Sequence, residues 1–184
     1  MAVREITKLG NPILRARAAE VTPAEIAAPE TRQLIDDMIE TMREASGAGI
    51  AAPQVSVSKR IVLVEVGHNR RYPDAPQIPL TVFINPEIEP LTDVREPGWE
   101  GCLSVDNLRG IVSRPLKIRV RHLDREGNPC EFIAEGFFAR AIQHECDHLD
   151  GILYIDRVDD TRTLTQLREF EQYHLAASRE TPPE

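Results

Sequence analysis

The stretch Gln143-His144-Glu145-Cys146-Asp147-His148-Leu149-Asp150-Gly151 decides both the fold and the chemistry of this chain. Positions i and i+4 of a helix lie on one face, so His144 and His148 can bind the same divalent metal. Glu145 lies about 100° round the helix from His144 and can act beside the metal as a general base. The pattern predicts a metal-dependent hydrolase built around a helix. A surface helix with two aligned histidines is the structural alternative.

Three other side chains of this stretch are interpreted without a ligand role. Cys146 points about 200° from His144 by the helical period, away from the metal face, and is predicted to be buried packing. Asp147 and Asp150 are placed to orient a histidine ring from outside the ligand set. A solvated helix face explains these two aspartates at least as well.

A catalytic metal site needs three protein ligands and an open position, so one more ligand must come from elsewhere in the chain. Downstream there is no ligand pattern, and His174 lies in a predicted surface helix. Upstream, Cys102 lies in a segment where Pro97, Gly98 and Gly101 predict a loop or a strand end. Cys102 is the better candidate, although a lone intracellular cysteine is more often a small buried hydrophobe.

Three separated motifs resemble the peptide deformylases and occur in the order found in that family. They are Gly47-Ala48-Gly49-Ile50-Ala51-Ala52-Pro53-Gln54, Glu100-Gly101-Cys102-Leu103-Ser104 and Gln143-His144-Glu145-Cys146-Asp147-His148-Leu149. The resemblance covers about residues 4–160. It implies a metallohydrolase that removes the formyl group from the N-terminal formyl-methionine of newly made polypeptides and releases formate.

The resemblance also implies the metal ligands, which are Cys102, His144 and His148, and it makes Glu145 the acid/base. Cysteine and histidine ligands with an open fourth position are typical of catalytic zinc. The resemblance instead implies Fe²⁺ in cells, with Zn²⁺, Ni²⁺ or Co²⁺ as alternatives in preparations.

The remaining site residues are likewise implied by the resemblance. Gln54 and the backbone amide of Leu103 would form the oxyanion site. The peptide would pair as an added strand with residues that include Gly49, Ile50 and Gly101. The expected partners are N-formylmethionyl nascent chains, with the ribosome as a further candidate partner.

The composition agrees with a single compact enzyme. The chain has 184 residues, of which 41% are hydrophobic, enough to bury a sizeable core. We therefore predict one deformylase-like catalytic domain over residues 1–184, in which residues 161–184 form a C-terminal helix and a frayed tail. The net charge of −8 argues against general nucleic-acid affinity. No apolar run approaches the length that a membrane-spanning helix needs.

Two features bear on the compartment. The N-terminal segment Met1-Ala2-Val3-Arg4-Glu5 has neither a hydrophobic signal core nor an amphipathic leader rich in Arg and Ser. The chain has three cysteines, an odd number for a disulfide scaffold, and a reducing compartment suits a thiolate ligand. We expect a cytoplasmic monomer.

The predicted fold class is α+β, with antiparallel strands packed around a central metal-binding helix over residues 136–150 and with an N-terminal and a C-terminal helix. The first helix begins at the capping box Thr22-Pro23-Ala24-Glu25, is interrupted at Pro29 and ends at Gly47. Strands are predicted at 60–66, 80–84, 116–123 and 131–134, with a loop at 67–79. The last helix is predicted over 160–178. Five basic residues cluster near the third strand and are interpreted as a solvated face: Arg114, Lys117, Arg119, Arg121 and Arg125.

Two other functions compete with this interpretation. One is a metallopeptidase or another amide hydrolase, which would share the histidine pair but not the motifs around Cys102 and Gln54. The other is a catalytically silent protein that binds formylated peptide termini or metal. An assay of formyl-methionyl peptide hydrolysis separates these possibilities.

Overall fold

The computed structural model describes residues 2–67 and 76–175 and has the α+β architecture expected from the sequence. The helices are α1 (Pro23–Ala27), α2 (Pro29–Glu44), α3 (Gly136–Leu149) and α4 (Leu167–Phe170). The strands are β1 (Gly49–Ala51), β2 (Ile61–Val66), β3 (Ile78–Pro90), β4 (Arg95–Cys102), β5 (Val105–Pro115), β6 (Lys117–Leu123), β7 (Pro129–Glu135) and β8 (Thr165–Gln166). Among these residues, no helix is long and apolar enough to cross a membrane.

Two antiparallel sheets surround α3. One has the strand order β1-β2-β3-β6-β7 and the other the order β4-β5-β8. Helix α3 contacts strands of both sheets, and its residues 142–149 are all buried. Ile142, Cys146 and Leu149 pack in the hydrophobic cluster that covers the five-stranded sheet. The predicted central helix is therefore confirmed, and so is the packing role of Cys146.

The N-terminal helices begin and end where local sequence signals place them. Thr22 Oγ1 accepts a hydrogen bond from the Glu25 amide, while the Glu25 carboxylate accepts one from the Thr22 amide, so the capping box is formed. Pro29 separates α1 from α2 because it lacks an N–H to continue the helix. A buried apolar stripe on α2 packs onto β1 and β2: Leu34, Ile35, Met38 and Met42.

The sequence interpretation missed β4, which lies where a loop or a strand end was expected, and predicted no element over β5. Pro97 is tolerated because β4 is the outermost strand of its sheet, where a missing N–H costs no ladder bond. Gly98 and Gly101 are needed for close contacts, since a Cβ on either would meet an arginine side chain. The strand predicted at 80–84 is also longer, running from Ile78 to Pro90. Residues 68–75 of the predicted loop lie outside the described residues.

The helix predicted over 160–178 is wrong in its first part. Asp160 caps a 3₁₀ turn at Thr161–Thr163, and β8 follows because its backbone pairs with Leu108 and Arg109 of β5. Helical structure begins only with α4 and continues as a π-helical turn, Glu171–Leu175. Residues 176–184 lie outside the described residues.

The basic cluster divides into exposed and buried members. Arg119 and Arg121 lie on an open strand face, where they pair with Glu89 and Glu131 as a solvated face predicts. Arg114 is different, because it is only 5% exposed and points inward toward α3. Its assignment to the solvated face was wrong.

Candidate metal centre

Three potential ligand atoms meet where the end of β4 reaches α3. Cys102 is the last residue of β4, and His144 and His148 lie one turn apart on α3. Their ligand atoms all lie within 4.8 Å of one another, and 3.2 Å separates Cys102 Sγ from His148 Nε2. Usual metal–sulfur and metal–nitrogen bonds at a tetrahedral angle would place such atoms about 3.5 Å apart. The donor set therefore fits one divalent ion with an open fourth position.

The electrostatics of this group favour the ionised form of Cys102. Burial opposes ionisation of the Cys102 thiol, yet His148 and His144 outweigh burial and hold its pKa well below the usual value. Two further donors point at the sulfur, the Ser104 amide and Gln54 Nε2, each at 3.4 Å. A thiolate is the form of cysteine that binds metals. The site is thus built to keep Cys102 ionised.

Glu100 holds the ring of His144 in place. Its Oε2 lies 2.9 Å from His144 Nδ1, so that Nδ1 donates to the carboxylate and Nε2 is left for a metal. Burial would lower the pKa of His144, but hydrogen bonds to Cys102 and Glu100 raise it well above the usual value. The sequence interpretation quoted Glu100 without giving it a role. Its position two residues before Cys102 on a strand, hence on the same face, was the available signal.

A buried ion network supports Glu100. Arg114 donates to both Glu100 oxygens at 3.0 Å and to Asp147 Oδ2 at 2.5 Å. Arg140 adds a bond to Glu100 at 2.9 Å, and Arg157 adds one to Asp147 at 2.8 Å. These cations satisfy carboxylates that would otherwise be costly to bury. Asp147 therefore orients Arg114, not a histidine ring.

Asp150 is also accounted for without a histidine contact. Its carboxylate accepts from Arg60 at 2.8 Å at the end of α3, next to the left-handed Gly151 that terminates the helix. The predicted alternative in which Asp150 orients a ligand ring is thus wrong.

Glu145 faces the same cavity as the ligand group. Its side chain is almost fully buried, and its Oε2 has no hydrogen-bond partner in the structure. Burial raises its pKa to about 7, against the opposing influence of His144 and His148. The carboxylate packs against Gly49, where an added Cβ would lie 2.5 Å from Oε1. A glycine at position 49 is what lets β1 approach the acid this closely.

Gln54 is fixed with its amide nitrogen toward the ligand group. It lies on a 3₁₀ turn after β1 and is 1% exposed, so a solvent-facing loop position is excluded. Its Oε1 accepts from the Ala51 amide at 2.8 Å, which leaves Nε2 to face Cys102 Sγ and to donate to Ser104 Oγ at 3.2 Å. This orientation aims a donor at the cavity.

The cavity lies between the outermost strands of the two sheets. Strand β1 ends one sheet and β4 ends the other, so each has an edge available for pairing. Gly49 and Gly101 line the cavity from these edges, with Leu103 beside them. The Ile50 side chain is fully buried, so this residue can offer only its backbone. The outer wall is formed by Trp99, Phe137, Arg140 and Ala141.

We expect Glu100→Gln to weaken metal binding by about 10–100-fold, the usual cost of losing a partner behind a ligating histidine. The amide keeps the size of the side chain but loses the charge that aligns His144 and balances Arg114. Competition against a chelator measures the effect. Glu96→Gln, on the exposed part of β4, is the matched control and should bind metal as the parent does. Equal affinities in the two variants would rule out this role for Glu100.

Comparison with known proteins gives consistent matches. Residues 3–163 match the family model described as polypeptide deformylase. A peptide deformylase of Leptospira biflexa is 49% identical over 163 residues, which cover 88% of this chain and 91% of that protein. Peptide deformylase 2 of Ralstonia nicotianae is 51% identical over 86% of this chain and 88% of its own length. The Met-Ala-Ser-bound crystal structure of a class I type b peptide deformylase from Acinetobacter baumannii has a TM-score of 0.83 at 44% identity, covering 85% of this chain and 99% of that one.

Proposed function

Because this chain belongs to the peptide deformylase family, whose members are metal-dependent hydrolases that remove the formyl group from N-terminal formyl-methionine, we propose that Cys102, His144 and His148 hold its metal. The observation that carries the proposal is the convergence of one buried thiol and two imidazoles beside Glu145 and Gln54. A divalent metal in this position supplies a Lewis acid and lowers the pKa of water to near 7.

Glu145 moves the proton in the proposed reaction. A carboxyl group whose pKa lies near 7 can take a proton from the attacking water and return it to the departing amine. Glu145 lines the cavity, and its buried Oε2 has no hydrogen-bond partner, which leaves it available for that water. Burial excludes competing solvent, so one carboxylate can act first as base and then as acid.

Gln54 and the Leu103 amide are the proposed donors to the formyl oxygen as negative charge develops on it. The support for Gln54 is its fixed orientation, because the Ala51 amide occupies Oε1 and turns Nε2 toward the ligand group. Leu103 directly follows Cys102, which places its backbone beside the same centre. Preorganised donors of this kind need no rearrangement when the charge forms.

The peptide is proposed to lie as an added strand between β1 and β4. Gly49, Ile50 and Gly101 provide backbone at the two edges of the cavity. The relative whose structure holds Met-Ala-Ser supports a site that accepts at least three residues. The backbone carbonyl and amide groups of the peptide would form hydrogen bonds with the backbone of these two edges.

We also propose Fe²⁺ as the metal in cells and nascent formylated chains as the substrate, acted on in the cytoplasm by a monomer. A reducing compartment keeps the Cys102 thiolate from oxidation. An anaerobic purification followed by metal analysis tests the identity of the ion.

The direct test of the activity is formate release from formyl-Met-Ala-Ser by metal-loaded protein, with acetyl-Met-Ala-Ser as the matched control. We expect turnover of the formyl peptide alone, and loss of turnover when a chelator removes the metal. Cleavage of internal peptide bonds would instead indicate a peptidase. Binding of the formyl peptide without formate release would indicate a silent binding protein.

We expect Gln54→Leu to lower kcat by about 10²–10³-fold while the metal stays bound, as when one oxyanion donor is removed. Leucine fills similar space but cannot donate. Steady-state kinetics and metal analysis of the same sample measure the two quantities. Gln77→Leu, at an exposed position, is the control and should not change kcat. An unaltered kcat in Gln54→Leu would remove this residue from the oxyanion site.

A further inference from the structure

The turn that follows Cys102 carries two amide groups of the proposed active site. Leu103 and Ser104 are the turn residues between β4 and β5, and Cys102 pairs with Val105 across them. The Leu103 amide is the proposed donor to the formyl oxygen, and the Ser104 amide lies 3.4 Å from Cys102 Sγ. The positions of both amides depend on how this turn is held.

The carbonyl groups of the turn are bound by the N-terminal segment, residues 7–9. Lys8 Nζ donates to the Leu103 oxygen at 2.8 Å, and the Leu9 amide donates to the Ser104 oxygen at the same distance. Lys8 and Leu103 are 95 positions apart in sequence. Each residue of the turn is therefore fixed by a contact with a distant part of the chain.

The same segment contacts the element that carries the other proposed donor to the formyl oxygen. The Thr7 amide donates to the Gln54 carbonyl at 2.8 Å, and the hydroxyl oxygens of Thr7 and Ser56 lie 2.8 Å apart. Gln54 follows β1 and Leu103 follows β4, so the two donors come from different sheets. Residues 7–9 thus bridge the two elements whose relative position sets the oxyanion site.

Asp106 fixes the ammonium group of Lys8 beside the turn. Its Oδ1 lies 2.7 Å from Lys8 Nζ, while the same nitrogen donates to the Leu103 carbonyl. The side chains of Lys8 and Asp106 are 50% and 62% exposed, so the ion pair alone adds little to the stability of the fold. A carboxylate and a carbonyl that share one ammonium group restrict an otherwise flexible lysine. The pair therefore serves to place a positive charge at the Leu103 oxygen.

A positive charge at the Leu103 oxygen also acts on the nitrogen of the same peptide group. The Leu103 carbonyl and the Ser104 N–H belong to one conjugated unit, in which electrons are drawn from nitrogen toward oxygen. A cation at the oxygen draws them further and makes the N–H a stronger donor. Because that N–H faces Cys102 Sγ, Lys8 influences the proposed ligand sulfur through one peptide group.

We propose that Lys8, held by Asp106, is a positioning residue for deformylation. Its contact with the Leu103 carbonyl fixes the turn that presents one amide to the formyl oxygen and another to the Cys102 thiolate. The inference rests on the proposed deformylase function and deepens it. Lys8 acts on the substrate and the metal only through the Leu103–Ser104 peptide group.

The kinetic test compares Lys8→Met with the parent on formyl-Met-Ala-Ser. Methionine keeps much of the length of the side chain but can neither donate nor carry charge. We expect kcat to fall about 3–10-fold, less than for loss of a donor itself, because Lys8 is half exposed and acts through another group. KM should change by less than about twofold, and Lys8→Arg should recover most of kcat, since a guanidinium can also bind a carbonyl and a carboxylate.

Lys59→Met is the matched control. Lys59 Nζ also binds a backbone carbonyl and a carboxylate, those of Glu20 and Glu25, but near α1. Its loss should leave kcat unchanged. Asp106→Ala keeps the ammonium group of Lys8 but removes what restrains it, so its kcat should lie between those of the parent and Lys8→Met. Circular-dichroism melts of all variants show whether the fold is kept.

A spectroscopic test needs no turnover. Co²⁺ bound by a thiolate absorbs in the near ultraviolet through transfer of an electron from sulfur to metal, so the energy of this band reports on the sulfur. A weaker Ser104 donor leaves more electron density on Cys102, and the band of Co²⁺-loaded Lys8→Met should therefore lie at longer wavelength than that of the parent. The band of Lys59→Met should coincide with the parent band.

The outcomes separate this inference from the function on which it rests. No formate release by the parent would overturn the deformylase activity itself, while the cobalt band would still report the action of Lys8 on the turn. With an active parent, an unchanged kcat in Lys8→Met, or an equal loss in Lys59→Met, would overturn the positioning role. An unshifted band in folded, cobalt-loaded Lys8→Met would overturn the action of Lys8 on Cys102.

Discussion

Cys102→Ala is expected to lose the bound metal and to reduce deformylation to the background rate. The thiolate is the one anionic member of the proposed ligand set, and two neutral imidazoles alone bind a divalent ion weakly. Alanine also removes the acceptor that Gln54 Nε2 and the Ser104 amide face, so the donors around the site lose their partner. Metal content per chain and formate release measure the two losses.

Cys130→Ala is the matched control, because Cys130 is half-buried on β7 and away from the ligand group. It should retain stoichiometric metal and full turnover. A circular-dichroism melt of both variants distinguishes loss of metal from loss of the fold. Stoichiometric metal with normal turnover in a folded Cys102→Ala protein would show that this cysteine is only packing.

Glu145→Gln is expected to keep its metal and its fold but to lose about 10²–10⁴-fold in deformylation, the range attributed to general acid–base catalysis. Glutamine preserves the shape that packs against Gly49 but cannot accept the proton of the attacking water. The peptide should still bind, which calorimetry can show. Single-turnover formate release gives the rate of the chemical step.

Glu135→Gln provides the control, since Glu135 is exposed and lies immediately before α3. Its turnover should equal that of the parent. Loss of metal from Glu145→Gln would make this residue a ligand, and full activity would require another base.

Local patterns in the sequence were enough to predict the elements whose structure depends on near neighbours. The four-residue spacing of His144 and His148 placed both on one face of α3, since the helical period alone sets that relation. The capping box at Thr22 and the break at Pro29 likewise depend on atoms a few residues apart. Resemblance of the three motifs then indicated the family, although the individual roles of the site residues stay predictions.

The tertiary structure decided what depends on residues far apart in sequence. The packing of the β4–β5 pair against α3 joins Glu100 to His144 and buries Arg114, which local alternation placed in solvent. The segment of β4 has a proline and glycines that indicate a loop, yet it forms a strand because an edge position tolerates them. In the same way, pairing of β8 with β5 overrode the helical pattern after Asp160 and brought Phe170 to Trp99. Helical period, helix caps and short motifs depend on neighbouring residues, so the sequence alone determines them. Burial, charge pairing and strand partners depend on the whole chain, because each requires two distant segments to meet.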